Sequence, residues 1–267
     1  MARPVVTATT LVTDDAVPIS AAHLPGPGDL AIVVAHGFTL SWERPDLWRI
    51  ANQLTSIAGV VAFDFRGHGR SGGLSTLGDL EIKDLDVAVA WARELGYRRI
   101  AVLGFSMGAS VALRYGGLVG GVDAVVSVSS PGRWYYRRSR RMRQVHLAVE
   151  HRLGRLVARR LLNTRIHSGV WRPVPVPPAA AAALIAPVPL LVVHGSRDAY
   201  FPPSHAHQLY LAAREPKELW LIPGMGHAES ATSDELAGRI ARWVDSATSG
   251  SASSGDDGPR AAAQASH

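Results

Sequence analysis

Short apolar runs recur along the chain and are separated by segments rich in glycine, proline and charged residues. A continuous, mainly apolar run rich in valine and isoleucine is typical of a strand buried on both faces of a sheet. Such strands are predicted at residues 30–35, 60–63, 100–103, 124–128 and 190–193, with a further strand at 218–222. Looser alternation over residues 5–12 and 16–23, interrupted by two aspartates, predicts an antiparallel hairpin before them.

Between the strands, apolar residues return every three or four positions, which predicts helices with one buried face. The predicted helices cover residues 45–57, 77–95, 204–213 and 228–244, and another helix begins after the run at 100–103. Strands that alternate with helices favour an α/β fold, with a mostly parallel central sheet flanked by helices on both faces. In such sheets the functional side chains lie at the carboxyl ends of the strands.

One apolar run leads directly into a serine motif. Ile100–Leu103 is followed by Gly104-Phe105-Ser106-Met107-Gly108 and then by a stretch rich in alanine and leucine. This order predicts a strand, a tight turn and a helix, with Ser106 at the apex of the turn. The two glycines allow the helix to pack close to the strand while the serine takes a strained backbone conformation. The hydroxyl then lies at a helix N-terminus, where free N–H groups favour developing negative charge.

Two later loops supply the partners that such a serine needs. A serine hydroxyl is a poor nucleophile at neutral pH, so it requires a base, and the base requires an orienting acid. Asp198 follows the strand at 190–193, and His227 follows the strand at 218–222 in a loop with flanking glycines. Ser106, Asp198 and His227 occur in the chain order that a serine hydrolase of this architecture requires. We therefore predict that they form a catalytic triad.

Other histidines are weaker candidates for the base. His36 is expected to shape the turn after the strand at 30–35, and His68 is expected to be structural within a glycine-rich loop. Asp64 begins that loop and is predicted to form a turn, outside the triad. Three further histidines are His194, His205 and His207. No carboxylate or fourth ligand recurs near them at a useful spacing, so neither a metal site nor another cofactor is predicted.

Five short motifs at the ends of predicted strands identify a family. They are His36-Gly37-Phe38, Asp64-x-Arg66-Gly67-His68-Gly69-x-Ser71, Gly104-x-Ser106-x-Gly108, Gly195-x-x-Asp198 with a following proline, and Gly226-His227. Together they resemble those of α/β-hydrolase-fold serine hydrolases, in the branch of esterases, monoacylglycerol-lipase-like enzymes and serine-aminopeptidase-like enzymes. The resemblance covers residues 5–245, apart from an insertion at 133–172.

The resemblance assigns roles to individual residues. It implies that Ser106 is the nucleophile, that His227 acts as general base and then as general acid, and that Asp198 orients His227. It also implies an oxyanion hole made by two backbone N–H groups, those of Phe38 and Met107. Each such donor can contribute a few kcal/mol of transition-state stabilisation.

The composition narrows the chemistry and the location. The chain has no cysteine, which excludes disulfides, thiolate metal sites and a cysteine nucleophile. No run reaches the ~18 apolar residues that a membrane span needs. The first residues show neither the apolar segment nor the cleavage site of a signal peptide. We therefore expect a cytoplasmic protein without a transmembrane segment.

The net positive charge of the chain comes from one segment. The whole chain carries a formal charge of +6, but residues 133–172 contain twelve arginines against one acid, Glu150, so this segment carries +11 and the remainder −5. Leucines and valines are mixed with the arginines at roughly helical spacing, which predicts a small amphipathic cap of one or two short helices. The predicted domains are a hydrolase core at 1–132 and 173–245, the cap insertion at 133–172 and a disordered tail at 246–267.

The arginine-rich cap has two interpretations. It is either a solvated basic face over the pocket or a surface for an anionic partner. Such partners include an anionic lipid membrane and the phosphate groups of coenzyme A or of a phosphopantetheine carrier protein. Nothing in the segment matches a nucleic-acid recognition module, so no nucleic-acid partner is predicted.

The sequence therefore predicts a serine hydrolase that cleaves a carboxylic ester through an acyl-serine intermediate. The apolar residues of the cap favour a medium or long acyl chain in this small-molecule substrate. A thioesterase or acyltransferase acting on acyl-coenzyme A or acyl-carrier substrates would use the same triad. A serine aminopeptidase is less favoured, because the insertion lacks the acidic residues that would hold an ammonium group. The alternative from another class is a non-catalytic protein that binds lipid or a carrier.

Overall fold

A single eight-stranded sheet forms the centre of the computed structural model, which describes residues 6–249 of the chain. In space the strands follow the order β1-β2-β4-β3-β5-β6-β7-β8. Their bounds are β1 (Thr7–Val12), β2 (Pro18–Leu24), β3 (Leu30–Ala35), β4 (Gly59–Phe63), β5 (Arg99–Phe105), β6 (Ala124–Val128), β7 (Leu190–Gly195) and β8 (Lys217–Ile222). Every predicted strand is present.

The sheet is parallel except at one edge. Strands β3 to β8 pair in parallel, whereas β1 and β2 form the predicted antiparallel hairpin, and β2 also pairs antiparallel with β4. All residues of β3, β4, β6 and β7 are buried, as expected for strands covered on both faces. Because the parallel strands share one direction, the loops that follow them meet at one edge of the sheet.

Helices cover both faces of the sheet and form two apolar layers. One layer contains α2 (Glu81–Glu94), α3 (Met107–Leu118), α6 (Pro178–Ala182) and α7 (Ser204–Ala212); the other contains α1 (Pro45–Leu54), α8 (Ala228–Ala231) and α9 (Asp234–Ser249). The predicted α/β architecture is therefore confirmed. Among residues 6–249, no helix combines the length and the apolar character needed to cross a bilayer.

The largest difference from the predicted helices concerns the start of α2, which begins at Glu81 and not at residue 77. The Glu81 carboxylate accepts hydrogen bonds from the backbone N–H groups of Thr76, Leu77 and Gly78. Leu77 and Gly78 have φ angles of 62° and 104°, which a right-handed helix excludes. A polar loop wound around one buried carboxylate therefore replaces the first predicted turn of the helix.

Helix boundaries also differ by more than one residue in three other places. Helix α1 ends at Leu54 and not at residue 57. Directly after Leu54, the hydroxyl of Thr55 donates a hydrogen bond to the Asn52 carbonyl. The predicted helix at 228–244 is divided into α8 and α9, because Thr232 has an extended backbone between them. Residues 246–249, assigned to the tail from the sequence, continue α9; the rest of the predicted tail, 250–267, lies outside the described residues.

The arginine-rich insertion contains two helices, α4 (Arg140–Glu150) and α5 (Arg152–Leu161), that pack against each other. A single residue, His151, joins them. A Cβ at Gly154 would lie 2.3 Å from the Ala148 carbonyl oxygen, so this close approach requires glycine. After α5 the chain is bound to the core, since Arg165 donates its N–H to Gly67 and accepts from the N–H of Ser75.

Candidate active site

Ser106 occupies a strained turn between β5 and α3. Its φ and ψ angles are 51° and −111°, outside the conformations that a non-glycine residue normally adopts. A Cβ at Gly104 would lie 2.3 Å from the Gly108 carbonyl oxygen, and a Cβ at Gly108 would lie 2.2 Å from the Ala35 carbonyl oxygen. The surrounding backbone therefore requires both glycines and holds the serine above the sheet.

The structure brings Ser106, His227 and Asp198 into one hydrogen-bonded chain. The Nε2 atom of His227 lies 2.9 Å from the Oγ atom of Ser106. The Nδ1 atom of His227 lies 2.7 Å from the Oδ2 atom of Asp198. Asp198 can only accept at this contact when ionised, so Nδ1 carries the proton and Nε2 is free to accept from the serine hydroxyl.

The environment of Asp198 favours its ionised form. Its side chain is fully buried, and burial by itself raises the pKa of a carboxyl group. Hydrogen bonds from His227 and from the backbone N–H groups of Tyr200 and Phe201 outweigh this effect and hold the pKa of Asp198 below its ordinary value. The carboxylate can therefore orient His227 and stabilise it when it carries a positive charge.

The two loops that carry Asp198 and His227 are bound to each other. The N–H of Arg197 donates to the Met225 carbonyl at 2.9 Å, and the N–H of Gly224 donates to the Ser196 hydroxyl at 2.9 Å. The ring of Tyr200 stacks on that of His227, with centroids 4.3 Å apart. These contacts fix the histidine ring relative to its carboxylate partner.

The backbone N–H groups of Phe38 and Met107 lie at the same site. Both residues line a cavity with Ser106, and neither N–H donates a hydrogen bond to another described residue. Met107 is the first residue of α3, where N–H groups have no partner within the helix. The arrangement offers two donors to an oxygen atom bound beside Ser106.

His36 shapes the turn that carries Phe38, as the sequence predicted. Its Nδ1 atom lies 2.7 Å from the Gly37 carbonyl oxygen, and its Nε2 atom accepts from the N–H of Phe65 at 3.0 Å. The proton therefore lies on Nδ1 of a neutral ring. Burial and the neighbouring His68 lower the pKa of His36 to about 3. Both ring nitrogens are occupied, which leaves His36 unable to serve as the base.

Asp64 and His68 belong to the loop beneath that turn and not to the hydrogen-bonded chain. The Asp64 carboxylate accepts from the N–H groups of Trp42 and Arg70, and burial raises its pKa to about 6. Burial lowers the pKa of His68 to about 4. The expectation that both residues are structural agrees with these contacts.

Glu229 is a site residue that the sequence reasoning missed. Its buried carboxylate accepts a hydrogen bond from the N–H of Gly37, although 192 residues separate the two in the chain. A Cβ at Gly37 would lie 3.1 Å from the carboxylate Oε1 atom and 3.4 Å from the Cβ of Ser106. Burial raises the pKa of Glu229 above its ordinary value. The position of this acid two residues after His227 was the available signal.

His194 is the second histidine beside the Asp198 carboxylate. Its Nε2 atom lies 2.9 Å from the Phe201 carbonyl oxygen and 3.6 Å from the Oδ2 atom of Asp198. His205 accepts from the N–H of Gly132 and therefore has a separate structural contact. Within residues 6–249, no group of three or more histidine, aspartate or glutamate side chains could hold a metal ion.

A cavity of about 660 Å³ opens above Ser106 and His227. Core residues form its floor, and its walls are mainly apolar. The insertion contributes a set of mainly apolar lining residues: Trp134, Tyr135, Tyr136, Met142, Val145, Ala148, Val149, Ala158, Leu162, Ile166 and Trp171. It also contributes four polar ones: Arg133, Arg141, Gln144 and His146. The cavity has the size and the apolar character of small-molecule sites.

Sequence comparisons identify relatives of the core. A family model described as the alpha/beta hydrolase family matches residues 32–239. A monoacylglycerol lipase of Mycolicibacterium smegmatis is 30% identical over 233 residues, covering 73% of this chain and 80% of that protein. The uncharacterized protein YfhR of Escherichia coli is 44% identical over only 48 residues, so the match spans 18% of this chain and 17% of YfhR.

Structure comparison gives a similar result over almost the whole chain. The esterase Pf2001 of Pyrococcus furiosus superposes with a TM-score of 0.74 at 24% sequence identity, and 92% of each chain is covered. The alpha/beta hydrolase GrgF of Penicillium superposes with a TM-score of 0.72 at 19% identity, over 92% of this chain and 99% of that chain. At these identities the likeness concerns the fold.

Proposed function

Because the chain belongs to the alpha/beta hydrolase family, we propose that it is a serine hydrolase that cleaves a carboxylic ester through an acyl-serine intermediate. The observation that carries this function is the continuous hydrogen-bonded chain from Ser106 through His227 to Asp198 at the floor of an apolar cavity. The nucleophile, the base and the orienting acid of the proposed mechanism are these three residues.

In the first half of the reaction, the Oγ atom of Ser106 attacks the ester carbonyl carbon. The serine proton passes to Nε2 of His227, and Asp198 stabilises the resulting imidazolium. The carbonyl oxygen becomes an oxyanion that accepts hydrogen bonds from the N–H groups of Phe38 and Met107. Loss of one such donor typically costs about 3 kcal/mol of transition-state stabilisation. His227 then donates its proton to the leaving alcohol as the C–O bond breaks.

In the second half, water attacks the acyl group on Ser106. His227 accepts a proton from the water as the new C–O bond forms, and the same two N–H groups hold the second oxyanion. The bond to Ser106 then breaks, His227 returns the proton to the serine oxygen, and the carboxylic acid leaves. Every proton transfer in the cycle uses Nε2 of His227, the atom that faces Ser106 in the structure.

The lining of the cavity favours an ester with a medium or long acyl chain. The walls are mainly apolar, although Arg141, Gln144 and His146 of α4 also line them. Each CH₂ group of a substrate that is buried against the apolar part gains about 0.8 kcal/mol. In this interpretation the insertion is a cap that shields the acyl chain from water. The monoacylglycerol lipase and esterase names of two similar proteins agree with such a substrate class.

A series of p-nitrophenyl esters with increasing acyl length tests this proposal. We expect kcat/KM to rise from acetate to the medium-chain esters, and the Ser106→Ala variant to lose about 10⁵-fold or more. An acyl-coenzyme A of the same chain length supplies the direct competitor. Faster turnover of the thioester would replace the ester assignment with a thioesterase. Equal rates for wild type and Ser106→Ala would contradict the serine mechanism.

A further inference from the structure

Helix α5 exposes a continuous row of large apolar side chains. Leu153 and Leu161 each expose 77% of their surface, and Leu156 and Val157 expose 48% and 51%. Their i, i+3, i+4 and i+8 spacing places all four on one side of the helix. Ala158 is the buried residue of this helix. A surface helix of a globular domain normally packs such a row against the core. The spacing of these side chains therefore predicts that they are buried, whereas in the structure they are exposed to solvent.

Arginines border the same row. Arg152 and Arg159 occupy the adjoining side of α5, and Arg160 lies among the leucines, where its aliphatic stem can follow the apolar surface while its guanidinium group reaches outwards. Among the described residues, Arg137 is the one arginine between 133 and 172 that forms an ion pair with a carboxylate, that of Glu150. The positive charge of α5 is therefore not neutralised by acidic side chains of the chain itself.

A solvated basic face would need the arginines but not the leucines. An anionic bilayer matches both parts, because leucine side chains can enter the acyl boundary while guanidinium groups bind lipid phosphates. A partner that offers only acidic groups would pair with the arginines but would leave the exposed leucines in water. The combination of exposed leucines and unpaired arginines on one short helix is the pattern of an interfacial helix.

We propose that the leucine–arginine face of α5 (Arg152, Leu153, Leu156, Val157, Arg159, Arg160 and Leu161) docks on the surface of an anionic lipid bilayer. The opposite side of the same helix faces the Ser106 cavity through Ala158, and Leu162 continues that lining directly after the helix. The α4–α5 hairpin is thus one helix layer between the proposed bilayer surface and the cavity. An apolar ligand could pass from the bilayer to Ser106 around this layer without crossing bulk water.

Vesicle binding tests the docking surface independently of catalysis. The full-length chain is used in the Ser106→Ala background, so that hydrolysis cannot change the lipid. Vesicles of phosphatidylcholine alone are compared with vesicles that also contain phosphatidylglycerol, in a flotation assay. We expect binding to the anionic vesicles, weaker binding at higher salt, and little binding to phosphatidylcholine alone.

Two triple variants and two matched controls locate the surface. Arg152→Gln/Arg159→Gln/Arg160→Gln should lower the partition coefficient roughly 100-fold, at about fivefold per arginine. Leu153→Ser/Leu156→Ser/Leu161→Ser should lower it at least tenfold. The controls are Leu211→Ser on α7, whose side chain is also 77% exposed, and Arg214→Gln just beyond that helix. Both controls should bind as the parent does.

Three outcomes would overturn the proposal. The first is a parent protein that does not bind anionic vesicles at any salt concentration. The second is binding that the controls reduce as much as the α5 variants do. The third is a concentration-dependent dimer, detected by light scattering, that the leucine variants dissociate, because the covering partner would then be a second copy. The α5 variants are also prepared with Ser106 intact. Unchanged hydrolysis of a short soluble ester by these proteins confirms that they are folded.

Discussion

The loops around Ser106 and the α4–α5 hairpin are built in opposite ways. The Asp198 side chain is fully buried and both of its carboxylate oxygens are hydrogen-bonded. An added Cβ would collide with backbone atoms at Gly104, Gly108 and Gly195. The hairpin instead exposes leucines and arginines and packs chiefly on itself. In the proposed function, the first region attacks the ester bond and the second region selects what reaches it. The two regions should then respond to substitution in different measurements.

Linked backbone contacts join the two regions. After α5, residues 164–166 form isolated bridges with His68 and Ser75 in the loop beneath the Phe38 turn. The Trp171 ring also donates to the Thr76 carbonyl at 2.7 Å. The insertion is therefore anchored to the core at its base while its helices remain exposed.

The largest effect in the core is expected from Asp198→Asn. The amide offers an N–H group where His227 needs an acceptor, so the ring loses the tautomer that leaves Nε2 free. A fall in kcat of about 10⁴-fold is expected, as for the equivalent change in the serine-protease triad. Steady-state kinetics on a short soluble ester measures it, with circular dichroism as the control for folding. A loss below tenfold would contradict the role of Asp198.

Substitution of Glu229 tests how the turn that carries Phe38 is held in place. Glu229→Ala removes the acceptor of the Gly37 N–H, and kcat should fall about 10- to 100-fold as the N–H of Phe38 loses its position, with KM nearly unchanged. Glu229→Gln keeps an acceptor oxygen and should restore most of the activity. A merely structural defect would lower the melting temperature without this split between kcat and KM. Equal activity of the Ala variant and wild type would exclude the positioning role.

Two substitutions on α4 sharpen the contrast between the regions. Val149 lines the cavity, whereas Leu147 on the same helix is 61% exposed and lies outside the lining. Val149→Trp should lower kcat/KM for long-chain esters roughly tenfold by filling acyl space, and should leave acetate hydrolysis nearly unchanged. Leu147→Trp is the matched control and should change neither. A chain-length series measures both, and equal effects of the two variants would contradict an acyl site beneath α4.

The smallest expected effect concerns the acid limb of the pH profile. The pKa of Asp198 is held below its ordinary value of 3.8, so the group stays ionised until the pH falls through that lowered value. Its support of His227 is therefore present above pH ~4 and is lost only below it. Above pH ~4, Asp198 should therefore add nothing to the slope of log kcat/KM against pH, which should not exceed one. A slope of two in that range would show that Asp198 loses its charge there and would contradict the lowered pKa.

The parts of the fold that follow local pattern were predictable. Apolar runs gave the strands, and the order of strands and loops indicated that Ser106, Asp198 and His227 would meet at one sheet edge. Their catalytic roles remain predictions. The polar loop around Glu81 was not predictable, because its conformation depends on a buried carboxylate that replaces helical hydrogen bonds. The contact between Gly37 and Glu229 was not predictable from local pattern, because the two residues lie 192 positions apart in the chain.

The insertion was predictable in part as well. Its amphipathic spacing indicated one or two short helices, and α4 and α5 are present. Composition could not show which side of α5 would face the cavity, since both sides carry apolar residues. The single-residue connection at His151 and the close contact between Gly154 and Ala148 constrain how α5 packs on α4. Only the folded hairpin reveals that the leucine row points outwards.

Labelling with a fluorophosphonate probe tests the central claim most directly. The probe forms a covalent bond only with an activated serine, and peptide mapping by mass spectrometry then identifies the residue. We predict one label on Ser106 in the wild type, with no label in Ser106→Ala and greatly slowed labelling in His227→Ala. A label on another serine, or labelling of wild type and His227→Ala at equal rates, would contradict the proposed triad.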